Sequence, residues 1–130
     1  MKKIISLFAA LLIAFAAFPQ MQPVSWNATL EHAEGDTYII QLKAVIIEES
    51  WHIYDLGPYA GGPNATSLSV ELNGNATLVG EPYMTPQPKR VHDDIFDMEI
   101  GTAGDGVMVC QKIEATGANP GEIAVTIEWQ

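Results

Sequence analysis

Residues 37–49 read "TYIIQLKAVIIEE", and their alternation decides the fold class. Tyr38, Ile40, Leu42, Ala44 and Ile46 fall on one side, with Gln41 and Lys43 between them. A period of two is the signature of an extended strand with one face buried, because successive side chains point to opposite faces. The same pattern recurs on both sides. Upstream, "VSWNATLEH" at 24–32 sets Val24, Trp26, Ala28 and Leu30 on one face. The turn "AEGD" follows, with Gly35 supplying the backbone angle that other residues resist.

Downstream, Leu68, Val70 and Leu72 alternate with Ser67, Ser69 and Glu71 before the turn "NGN" at 73–75. Two further stretches, 107–115 and 122–129, continue the pattern, the last aligning Ile123, Val125, Ile127 and Trp129. No segment after residue 23 has a helical period. Short alternating strands between turn signals predict antiparallel sheets packed face to face. For about seven strands in roughly 100 residues the natural arrangement is all-β, an immunoglobulin-like antiparallel sandwich over 24–130. Its expected core is Trp26, Tyr38, Ile40, Leu42, Trp51, Leu68, Val70, Val125 and Ile127.

The N-terminus has a different character. Lys2 and Lys3 precede an apolar run from Ile4 to Phe18 broken only by Ser6. With the triplet Ala14-Phe15-Ala16 this makes a secretory signal peptide over residues 1–20, its boundary between 16 and 23. The run is short for a membrane span, which needs about 20 apolar residues. No cysteine stands near the cleavage region to carry a lipid. Export to a location outside the cytoplasm is therefore expected.

The chain carries 6 basic and 16 acidic residues, so without Lys2 and Lys3 it holds 4 basic against 16 acidic, a net charge of −12. No basic stripe exists to neutralise phosphates, which argues against nucleic acid, and the charge also argues against anionic membrane surfaces. Solubility is the simpler use of such a charge. The single cysteine, Cys110 in "GVMVCQKIEA", cannot form an internal bridge. It reads as a small, half-buried strand residue, with no base nearby in sequence to activate it. Three Asn-Ala-Thr triplets, at 27–29, 64–66 and 75–77, match the glycosylation sequon without any repeat around them.

Residues 80–106 stand apart. Pro82, Pro86 and Pro88 precede Lys89-Arg90 and then the acids Asp93, Asp94, Asp97 and Glu99. Prolines lack a ladder donor, so the first half is not expected to form a central strand. The segment reads as a long irregular excursion, and Ile95 and Phe96, apolar among acids, suggest a loop folded back onto something.

Candidate chemistry is sparse. His32, His52 and His92 with Met84, Met98 and Met108 offer soft ligands for copper, but no two lie at a tight ligand spacing on one strand. Lone histidines on strands are more often packed or surface residues, so no metal and no cofactor is expected. There is no Gly-x-Ser-x-Gly elbow. Asp93 and Asp94 are adjacent and point apart when extended, so they are not an acid/base pair.

The stretch "SWHIYDLGPYAGGPNAT", residues 50–66, poses the functional question. Trp51, His52 and Tyr54 run into a Gly- and Pro-rich loop, which suits either a binding rim or a core strand entering a turn. It resembles the "GWHIYS…GP-PT" signature of the N-terminal periplasmic domain of the transmembrane thiol:disulfide interchange protein DsbD. "VHDDIFDMEI" and the closing "EIAVTIEWQ" extend the resemblance over most of 24–130.

The resemblance implies an immunoglobulin-like domain fed with electrons by a membrane-embedded partner domain and a thioredoxin-like domain of the same system. It would pass them to oxidised periplasmic proteins, as a protein-disulfide reductase does. Contact with the membrane would come only through a partner or downstream domain. The resemblance also assigns an active-site rim and cap. His52 and Tyr54 match positions beside the redox site, while Trp51 and Ile53 would face the core. Asp94 and Phe96 match an Asp-x-Phe cap loop that shields the reactive sulfurs. An apolar ring over a thiol excludes water and oxidants, and a nearby carboxylate disfavours the thiolate. Ile95 stands where the family often has a second acid.

The family's cysteine pair follows the strand that closes here at Trp129-Gln130. Two-electron exchange needs two sulfurs within bonding distance, so no catalytic residue is expected within this chain. A chain truncated before the pair is the expectation. The rival reading is a non-redox immunoglobulin-like module that binds a protein or metal ligand.

Overall fold

The computed structural model describes residues 2–8, 12–15, 23–116 and 121–130. Among these the protein is all-β, with strands β1 (Lys2–Phe8), β2 (Leu12–Phe15), β3 (Val24–Glu34), β4 (Thr37–Ile46), β5 (Ile53–Tyr54) and β6 (Ser67–Asn73). They are followed by β7 (Ala76–Thr85), β8 (Lys89–Asp93), β9 (Met98–Ala103), β10 (Met108–Ala115) and β11 (Glu122–Glu128). One sheet runs β2-β1-β11-β6, a second β3-β4-β10-β7, and a third, three-stranded, β5-β9-β8. Every ladder between strands is antiparallel.

The alternation predicts the core faces well. Ile40, Leu42, Ala44 and Ile46 of β4 meet Ile123, Val125 and Ile127 of β11, with Val24, Trp26 and Ala28 beside them. Tyr38, Leu68 and Val70 are only partly buried against this core. For Leu68 and Val70 the reason is that β6 is the outermost strand of its sheet.

Trp51 corrects the expected core list, being 48% exposed. The strand preceding it ends at Ile46, and a turn follows in which the Trp51 amide donates to the Glu48 carbonyl at 3.0 Å. Pairing Trp51 with Ile53 on the core side assumes that both lie on one strand, but β5 begins only at Ile53, so period two does not reach Trp51. Ile53, beyond that turn, is buried as expected.

Residues 80–106 are also more regular than the sequence suggests. β7 continues through Pro82 to Thr85, and β8 and β9 form a hairpin. Pro82 is accommodated because β7 is an edge strand and its register against β10 shifts between Cys110 and Lys112. Gln111 fills that irregularity: its buried Nε2 donates to the carbonyls of Val79, Gly80 and Lys112 at 3.3, 3.2 and 2.8 Å. A buried amide needs such partners to avoid a desolvation penalty.

The stretch read as a signal peptide carries β1 and β2. β1 pairs along β11 from Lys2 opposite Glu128 to Phe8 opposite Glu122.

Candidate functional site

The loop after β5 is organised by one buried carboxylate. Asp55 is 8% exposed. Its amide donates to the Gly101 carbonyl at 2.9 Å, and its own carbonyl accepts from the Thr66 amide at 3.1 Å. The Tyr59 hydroxyl donates to Asp55 Oδ1, and Arg90 Nη1 approaches Oδ2 at 3.3 Å. Tyr59 Oη in turn accepts from the Gly101 amide at 2.9 Å. Arg90 Nη2 also donates to the Glu99 carbonyl at 3.3 Å. A carboxylate taken out of water is costly unless paired and hydrogen-bonded, and here both oxygens are engaged. Burial, and then donation to Asp55, raises the Tyr59 phenol above its ordinary 10.0.

These contacts fasten the Gly/Pro loop to the β8–β9 hairpin. Gly101 has to lack a side chain, because an added Cβ would overlap the Asp55 carboxylate. At Gly62 a Cβ would meet Met98 Sδ at 2.7 Å, so Met98 also seats on the loop.

His52 and Tyr54 lie together at the outer edge of the small sheet, ring centroids 6.4 Å apart and nearly perpendicular. Asp94 and Phe96 lie together in the turn between β8 and β9. Asp93 Oδ1 closes that turn by accepting from the amides of Ile95 and Phe96 at 2.8 and 3.0 Å. Asp97 takes a φ of 53°, the left-handed region that Asp tolerates better than most residues. His92 Nε2 stands 3.2 Å from Asp97 Oδ1 and 3.9 Å from Asp94 Oδ1. Ile95 is 87% exposed, whereas Phe96 is half-buried.

The structure does not bring these two pairs into contact. Tyr54 pairs with Thr102, which pairs with Lys89, whereas the turn springs from the Asp93–Met98 pair. That is four ladder steps away, about 13 Å at the rise of a strand. Among the described residues no ring contact involves Phe96.

The Tyr54 backbone is tied to Thr66, which follows two residues of a cleft at Gln130. Its carbonyl accepts from Thr66 Oγ1 at 2.5 Å. The neighbouring Asn64 and Ala65 line a cleft of about 490 Å³ with Glu128, Trp129 and Gln130. Trp129 meets Trp26 edge to face, centroids 5.7 Å apart, and the buried Trp26 Nε1 has no hydrogen-bond partner. A groove of about 520 Å³ that shares Ala65 with that cleft is lined by Leu56, Pro58, Leu68, Glu81 and Pro82 among others.

Cys110 is buried on β10 rather than half-buried. Burial pushes its thiol above the ordinary 9.0, a hydrogen bond with Tyr83 pulls it back, and Glu31 raises it further. Native Cys110 should therefore react with iodoacetamide on the order of 100-fold more slowly than in urea, since thiolate and access are both withheld. Comparable rates in the two conditions would show that the thiol is open.

A raised value also couples to stability. The neutral thiol favours the fold fully below 9.0, and this contribution is lost as pH climbs through the raised value. Urea midpoints should fall above about pH 9, and less steeply in Cys110→Ala.

The three histidines occupy separate places. His32, near the end of β3, contacts the Gly35 carbonyl at 2.6 Å and the Tyr38 ring at 4.9 Å. Among the described residues no group of three or more His, Cys, Asp or Glu side chains could hold a metal.

Sequence reasoning missed Asp55, Tyr59, Arg90 and Gly101. The available signal was a lone acid within an aromatic, Gly- and Pro-bounded stretch, where nothing on the same strand neutralises it. No family model, curated protein or solved structure matches the chain.

Proposed function

We propose that residues 24–130 are an exported, periplasmic immunoglobulin-like domain of a DsbD-type thiol:disulfide interchange system. It takes reducing equivalents from a membrane electron-transfer partner and a thioredoxin-like domain, and delivers them to oxidised periplasmic proteins. The sulfur pair is supplied by residues following Gln130. In each exchange a thiolate attacks a client disulfide and forms a mixed disulfide. The second thiol then displaces the client sulfur, so that the pair loses two electrons and the client gains two with two protons.

The sequence resemblance brings this reading, and one observation of the site supports it. The cleft that Trp129 and Gln130 share is also lined by Asn64 and Ala65, which belong to the 50–66 stretch. Sulfurs following Gln130 would thus lie beside the motif that carries the resemblance. His52 and Tyr54 then form the rim. Asp94 and Phe96 reach the sulfurs as a cap only if the hairpin turn bends toward the rim.

Thiol counting on the full-length protein from its host is the test. Reduction should release a reactive pair besides Cys110, and the pair should exchange with a thioredoxin-like domain. A protein in which Cys110 is the sole thiol would overturn the proposal. It would favour the second reading, a non-redox immunoglobulin-like binding module, which the buried state of Cys110 also suits.

A further inference from the structure

β6 and β7 follow each other across a short turn and are the outermost strands of the two large sheets. β6 has β11 on one side and no ladder partner on the other among the described residues. An unpaired edge of this kind presents backbone donors and acceptors to an incoming strand. Most native edges are blunted by a lysine, a proline or an inward charge, and the β6 sequence "SLSVELN" has neither lysine nor proline.

The groove beside the start of β6 is mainly apolar, formed by Leu56, Pro58, Leu68 and Pro82, with Glu81 as its charged member. The charge around the edge has one sign. Glu71 lies on β6, Glu122 on β11 and Glu81 on β7, and none of these three strands carries a Lys, Arg or His.

We propose that the outer edge of β6 takes an extended basic peptide segment as an added strand, seating one apolar side chain in the groove between Leu68 and Pro82. Backbone pairing gives affinity, the groove selects an apolar residue, and the glutamates select lysine or arginine at alternate positions. The inference deepens the proposed function and rests on it for the client's identity. The bound segment would be an unfolded, cationic stretch of an oxidised protein held beside the exchange site. The β6 edge is the far edge of its sheet from β1 and β2, so the seat does not depend on the N-terminal segment.

The test uses the full-length protein and two fluorescein-labelled peptides of equal length, one alternating lysine with valine and one alternating glutamate with valine. Anisotropy should show the lysine peptide binding at least tenfold tighter at about 0.05 M salt, with the gap closing near 0.5 M. Glu71→Gln with Glu81→Gln should weaken it about fivefold, while Glu114→Gln on β10 leaves it unchanged. N-methylation of alternate peptide amides should abolish binding without touching the protein.

Equal binding of the two peptides, or undiminished binding of the methylated one, overturns the proposal. So does an absence of binding. If thiol exchange with a thioredoxin-like domain survives that result, only the β6 seat is refuted and the exchange function stands.

Discussion

Trp26→Ala should cost about 4 kcal/mol of folding stability, the largest loss expected from a single substitution in this domain. The indole is 1% exposed, stands against the Trp129 ring, and fills space between the faces of β3 and β11. Removing it leaves a cavity that two packed sheets cannot close. In a domain of roughly 100 residues such a loss is about half the usual stability and lowers Tm by around 20 °C.

Trp26→Phe should cost far less, about 1–2 kcal/mol. Phenyl keeps most of the packing and removes an indole N–H that has no partner. Urea titration with an unchanged slope measures both. Equal losses in the two variants would show that packing volume is not what Trp26 contributes.

Gly101→Ala should cost about 3 kcal/mol, because the new Cβ would stand 2.6 Å from Asp55 Cγ. Relief requires Asp55 to move, and with it the contacts to Tyr59 and Arg90. Asp55→Ala alone should also be destabilising, since Tyr59 and Arg90 lose their shared acceptor.

The two changes together should be less harmful than their sum by about 1–2 kcal/mol, because Asp55→Ala vacates the space that the new methyl needs. Strict additivity would show that the clash is not the cause. The same cycle bears on function. It loosens the tie between the Gly/Pro loop and the β8–β9 hairpin, and so tests whether the rim at His52 and Tyr54 depends on that tie.

The fold class and most of the buried faces follow from local pattern alone. In β4 from Ile40 onward, and in β11, every second residue is apolar and is buried, because side-chain direction in a continuous strand is a local property. Local pattern also located the turns at Gly35 and at 73–75, where backbone geometry restricts the residue type. Local information failed wherever a partner distant in the chain decided the outcome. Trp51 faces outward because β5 begins only at Ile53, where pairing with Ala103 of β9 starts. Pro82 entered a strand because β7 is an edge, and edge position is a property of sheet order.

The tie at Asp55 depends on residues 4, 35 and 46 positions away along the chain, namely Tyr59, Arg90 and Gly101. Nothing in the local sequence says that Arg90 will supply the charge that a buried carboxylate requires. The distance between the Asp94–Phe96 turn and the Tyr54 edge was likewise settled by hairpin register. Residue types can suggest that a ring covers a site, but only the pairing of Tyr54 with Thr102, and of Asp93 with Met98, sets how far that ring stands from it.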